Sequence, residues 1–147
     1  MPATSPNLVR RYLRAGANPP HIDSGIILPS AFNLRKSVKE HSLSVSRPST
    51  TVSDDMYAAM FAQGRPLMIA FLDSEKIATW SDKASIPMRV QDDPTPDDPG
   101  HCLIRLVDSY DNRKVPSNAY EAKKKLLAKI ANLNPMKSYP VGQSSGS

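Results

Sequence analysis

At 147 residues, with 39% hydrophobic and 22% charged content, the chain is sized for one domain with a real apolar core. Its longest apolar run, residues 67–72, falls far short of the roughly 20 residues of a membrane span, and the N-terminus shows no apolar signal stretch, so a cytoplasmic protein without membrane contact is expected. One cysteine excludes an internal disulfide, and the net charge of +5 hides three blocks: seven Lys/Arg against two Asp/Glu in residues 1–52, four against nine in 53–100, and eight against three in 101–147.

Residues 1–4 are expected to be disordered, 5–135 to form a single domain and 136–147 a flexible tail. Ser5 as N-cap, Pro6 at the first helical position and Gly16 past the end predict a helix over residues 5–15. The alternation of Leu8, Arg10 and Tyr12 keeps a short strand open there. Ile26, Ile27 and Leu28 begin a strand after the stiff Asn18-Pro19-Pro20 connector. Residues 41–47 alternate as a strand, with Leu43 and Val45 on one side and Ser42, Ser44 and Ser46 on the other. Ser53 caps a helix with Asp54 and Asp55 in its first turn, Gly64 at its end, and Met56, Tyr57, Met60 and Phe61 as its buried stripe. Residues 67–72 read as a buried strand, turned at Asp73-Ser74-Glu75 and answered by a second strand at 77–80. The clearest helix is 119–133, capped by Ser117 or Asn118. Its stripe is Ala119, Ala122, Leu126, Ile130 and Leu133, with Lys123, Lys124, Lys125 and Lys129 covering the rest.

Residues 86–107 carry the strongest local signal. Two period-two segments flank a proline- and aspartate-rich turn, which predicts an antiparallel hairpin. With Gln91 facing His101, Arg89 facing Leu103 and Pro87 facing Arg105, one face holds Ile86, Met88, Val90, Cys102, Ile104 and Leu106. Arg89, Gln91, His101 and Arg105 fall on the other. Cys102 is then a buried, inert thiol. The whole suggests an α+β fold: a mostly antiparallel sheet with two or three helices packed on one side.

The sequence has no Gly-rich phosphate loop, no paired-cysteine zinc spacing and no nucleophile elbow. Asp92, Asp93, Asp97, Asp98 and His101 have metal-ligand chemistry, but three prolines interrupt them and the loop reads as a solvated hairpin tip. No metal or cofactor is expected. The basic blocks point instead to binding: nucleic acid or an acidic protein partner, met by Arg10, Arg35, Arg47, Arg89, His101, Arg105, Lys124 and Lys125.

Pro29-Ser30-Ala31-Phe32, Leu43-Ser44-Val45-Ser46-Arg47 and Asp93-Pro94-Thr95-Pro96-Asp97-Asp98-Pro99-Gly100-His101 together resemble a group of small uncharacterised bacterial proteins with an SAF…LSV…DPxPxxPxH arrangement. The resemblance implies a bacterial or phage origin and draws attention to Phe32, Arg47 and His101. It brings no activity; a defence or toxin–antitoxin setting is the context expected for a binding protein of this kind. An arginine near the start followed by a serine-bearing strand is distantly similar to ADP-ribosyltransferase-like toxins. That likeness implies a nucleotide-handling enzyme with a site around Arg10, Ser44, Arg47 and His101, although the glutamate such enzymes use has no matching motif here.

Overall fold

The computed structural model describes residues 7–14, 16–34, 40–49, 51–107 and 117–139. Leu8–Arg14 is a strand, β1, not the helix its termini predicted. It lies at the centre of the sheet with Val9, Arg10, Arg11 and Leu13 all buried, so apolar and polar positions are covered on both faces and the alternation wins over the local start and stop signals. A two-stranded ribbon follows, β2 (Ile22–Asp23) and β3 (Ile26–Ile27). Its tip places Ser24 and Gly25 at φ of 53° and 80°, the positive pair that a tight primed turn requires. A 3-10 turn at Pro29–Phe32 then drops Ala31 and Phe32 into the core.

β4 (Ser42–Ser46) buries Leu43 and Val45 as its alternation predicted. Helix α1 (Asp54–Ala62) starts where Ser53 Oγ accepts from the Met56 amide. Its buried side chains are Tyr57, Ala58 and Ala62, whereas Met56 and Met60 are exposed, a correction to the predicted stripe. β5 (Leu67–Asp73) runs into α2 (Ser74–Lys83) without a turn, and the strand predicted at 77–80 is part of that helix. The cause is Asp73, whose carboxylate accepts from the Glu75 and Lys76 amides and so caps the helix.

β6 (Val90–Asp92) and β7 (His101–Arg105) form the predicted hairpin, but Gln91 faces Leu103 rather than His101. The pairing continues to the tip, where the Asp93 amide donates to the His101 carbonyl and Thr95 and Asp98 exchange backbone bonds. A two-residue shift leaves every side chain on its predicted face. Met88, Cys102, Ile104 and Leu106 are buried, Ile86 and Val90 half-buried, and Arg89, Gln91 and Arg105 exposed. Helix α3 (Ser117–Ala131) buries Tyr120, Leu127, Ala128, Ile130 and Ala131. Lys124, expected on its solvent side, is buried, while Leu133, expected in its stripe, is exposed. Part of the predicted flexible tail is β8 (Lys137–Tyr139), paired along β5.

The fold is α+β, with one antiparallel six-stranded sheet in the order β6-β7-β4-β1-β5-β8. On one face Leu13, Val45, Leu72 and Ile104 pack with Ile77 of α2 and Leu127 and Ile130 of α3. On the other, Tyr57, Ala58 and Ala62 of α1 cover Leu67 and Ile69 of β5. The helices therefore divide between the two faces instead of sharing one. No helix among the described residues is long and apolar enough to cross a membrane.

Candidate ligand cleft

The sheet is split at its centre. β1 pairs with β5 over seven residue positions but meets β4 only at Arg10–Ser46. In a continuing antiparallel ladder the Tyr12 amide would meet the Ser44 carbonyl. Here the Tyr12 N–H donates to the Tyr57 hydroxyl (3.2 Å), which itself donates to the Arg10 carbonyl (3.2 Å). The Arg14 N–H donates to His21 Nδ1 (3.0 Å), and the Ser44 carbonyl accepts from Arg11 Nη1 (3.1 Å). Three side chains thus replace the missing strand bonds and hold the gap open. Burial, with the nearby charges of Arg11 and Arg14, lowers the His21 pKa from 6.5 to about 4, so the ring stays a neutral acceptor. Burial likewise pushes the Tyr57 phenol well up, keeping it a hydroxyl.

The gap opens into a cleft of about 810 Å³ with two chemically different ends. At one, Arg11 and Arg14 flank Tyr12, their guanidinium carbons 4.6 and 5.1 Å from its ring centre, and Phe61 stacks on that ring at 4.1 Å. At the other lie Thr95, Asp97, Asp98 and His101 of the hairpin tip. Arg11 is the unusual group. It is 8% exposed, Arg11 Nε is buried without a hydrogen-bond partner, and no carboxylate neutralises it among the described residues. A desolvated guanidinium without a counter-charge is costly, and an anion in the cleft would offset that cost. Arg10 Nε is unpartnered too, but Arg10 does not line the cleft and its two terminal nitrogens are saturated by Val52, Asp54, Ser46 and Arg47.

The residues predicted to bind a partner do not gather on one surface. Arg10 is fully buried, bridging β1 to the start of α1 through its 3.1 Å ion pair with Asp54. Lys124 is buried on the other side of the sheet, bonded to Asn33 (2.6 Å) and paired with Glu121 (2.9 Å). Arg89 pairs with Asp82 and Arg47 with Asp92, whose carboxyl the Arg47 hydrogen bond holds below the usual carboxylate range. Arg105 and Lys125 are exposed, and Arg35 lies outside the described residues. Of the seven that are among the described residues, His101 alone lines the cleft.

Nor does the structure assemble the enzyme constellation of Arg10, Ser44, Arg47 and His101. His101 pairs with Ser46 and shares its sheet face, whereas Arg47, one residue on, turns to Asp92 beside the core-facing Cys102. Burial raises the Cys102 thiol to about 11, which keeps it protonated. In the acidic loop Asp92 and Asp93 are engaged by Arg47 and His101, and among the described residues no group of three or more His, Cys, Asp or Glu side chains is placed to hold a metal.

Tyr12, Tyr57 and Phe61 were not legible as site residues, because each reads as part of a helix's buried stripe, and Arg11 was legible only as one charge of the basic N-terminal block. Set against protein-family models, curated proteins and solved structures, the chain matches none.

Proposed function

We propose that the protein is a cytoplasmic nucleotide binder, taking a phosphate-bearing ligand into the cleft between β1 and β4. The observation that supports this most is Arg11, a buried cation that lines the cleft and has no carboxylate partner among the described residues. Arg14 adds a second cation, Tyr12 and Phe61 supply an apolar, aromatic wall, and Asp97 offers an acceptor for ligand hydroxyls. The wider reading, a basic surface against nucleic acid or an acidic protein, narrows accordingly: Arg10, Arg47, Arg89 and Lys124 are already satisfied internally.

Calorimetric titration with adenosine and guanosine 5′-monophosphate, with the unphosphorylated nucleosides as controls, tests the reading. The monophosphates should bind, the nucleosides should bind more weakly, and the difference should shrink as salt rises. Arg11→Gln should weaken monophosphate binding by about 10–100-fold, the worth of a charge-assisted hydrogen bond of about 1.5–3 kcal/mol. Absence of binding at low salt, or equal affinity in a folded Arg11→Gln variant, would reject it.

A further inference from the structure

The cleft holds a second buried charge without a counter-charge. Asp98 is 5% exposed and lines the same cleft as Arg11. Its Oδ1 accepts from the Gly100 amide (3.1 Å), and its Oδ2 has no hydrogen-bond or ion-pair partner among the described residues. A buried carboxylate in that state is costly, and donors brought by a ligand would offset the cost. The two charges do not neutralise each other, because they sit at opposite ends of the cleft. The Arg11 guanidinium is held at the Ser44 carbonyl, whereas the Asp98 carbonyl accepts from the amide of His101, the residue paired with Ser46. Two residues along β4 and one strand across put roughly 10 Å between them. A ligand that satisfies both therefore carries an anion at one end and hydrogen-bond donors at the other.

The hairpin tip is also nearly empty of donors. Pro94, Pro96 and Pro99 have no N–H. The amides of Asp93, Thr95, Asp98, Gly100 and His101 are all engaged within the tip, which leaves that of Asp97. The Thr95 hydroxyl donates to the Asp98 carbonyl (3.3 Å). His101 Nδ1 lies 2.9 Å from the Asp93 carbonyl, which can only accept, so the ring proton is on Nδ1 and Nε2 of the neutral ring is an acceptor. At the arginine end the Tyr12 ring already has Phe61 stacked on it and both guanidinium groups over it, so a base finds no free face there.

Resting on the nucleotide-binding reading, we propose that the ligand is a guanine nucleotide, with its phosphate at Arg11 and Arg14 and its base read by the Asp98 carboxylate. A nucleotide keeps its phosphate and its Watson–Crick edge at opposite ends, as the two buried charges require. Guanine alone among the common bases presents two adjacent donors on that edge, N1–H and N2–H. One carboxylate accepts both, since Oδ2 is open and Oδ1 keeps a second lone pair. Adenine and cytosine set a ring-nitrogen acceptor beside their amino group, and uracil flanks its one N–H with two carbonyls. Each would turn a lone pair toward the buried carboxylate, whereas guanine leaves only O6, at the far end of the edge from N2, to solvent.

Calorimetric titration of the full chain with guanosine, inosine, adenosine, cytidine and uridine 5′-monophosphates is the test. All share the phosphate contact. The guanosine compound should bind about 10–100-fold more tightly than those of adenosine, cytidine and uridine, as a charge-assisted hydrogen bond predicts. Inosine monophosphate, which lacks only the N2 amino group, should fall between. Asp98→Asn keeps an acceptor for the Gly100 amide. Matched to the wild type by melting temperature, it should erase the preference for guanosine yet bind adenosine monophosphate within about threefold of wild type, since that affinity comes from the phosphate. Equal affinity of the wild type for the guanosine and adenosine compounds, no loss with inosine, or a preference that survives Asp98→Asn overturns the proposal. The two wild-type comparisons decide the matter even where the variant fails to fold. If none of the monophosphates binds, the nucleotide-binding reading itself fails, and this proposal with it.

Discussion

Removal of one oxygen, in Tyr57→Phe, tests the account of the split sheet. The Tyr57 side chain is almost fully buried, with 3% of the residue exposed, and its hydroxyl serves both the Tyr12 N–H and the Arg10 carbonyl at 3.2 Å. The phenylalanine ring would keep its place under the Arg10 guanidinium (4.7 Å) and its edge contact with Phe61 (5.2 Å), so apolar packing is little changed. What changes is that the Tyr12 N–H loses its partner, while the Arg10 carbonyl keeps the ladder bond of its pair with Ser46. A buried unsatisfied group costs about 1–3 kcal/mol. The bond is at the long end of the normal range, and the cleft brings water near, so the lower half applies. The expected loss is about 1–2 kcal/mol in urea unfolding with an unchanged m value, accompanied by faster amide exchange at Tyr12. A loss below about 0.5 kcal/mol, or unchanged exchange at Tyr12, would show that the hydroxyl does not hold the strands apart.

Two further outcomes follow from local geometry. A Cβ added at Gly100 would stand 2.4 Å from the Arg47 carbonyl oxygen, and backbone cannot yield cheaply there. Gly100→Ala should lower stability by about 1–3 kcal/mol in chemical denaturation, as overpacking does, and an unchanged midpoint would contradict that close approach. Acidification should act through His21. The unfolded chain takes up its proton near 6.5 and the folded protein only near 4, so protonation favours unfolding in that window. The stabilisation is intact above pH 6.5 and is lost as pH falls toward 4. After allowance for solvent screening of a half-buried ring, about 1 kcal/mol should separate wild type from His21→Gln in their change between pH 7 and pH 4.5. Parallel pH profiles for the two proteins would refute the assignment.

Elements whose physics is local were readable from residue order. Ser53 with two aspartates behind it, the apolar run at 67–72 and the lysine-rich helix after residue 117 each carry their cause within a few positions. The faces of the β6–β7 hairpin were legible for the same reason, since period two survives even the two-residue shift in pairing. Asp73 shows where this fails: in sequence Asp-Ser-Glu is both a turn and a helix cap, and only the direction of the chain after β5 selects the cap. β1 fails differently. A strand buried on both faces loses the polar–apolar contrast that marks strands at a surface, and arginines at its centre mimic the wet side of a helix. Whether such an arginine is a solvated charge, an internal strut like Arg10 or a buried cation lining a cleft like Arg11 depends on partners 33 to 44 residues away. The cleft is the extreme case. It exists because one strand pair stops after a single bridge and Tyr57, His21 and Arg11, from three separate segments, satisfy the backbone that the missing pairs leave exposed. Sequence order alone carries no record of a hydrogen bond that is not made.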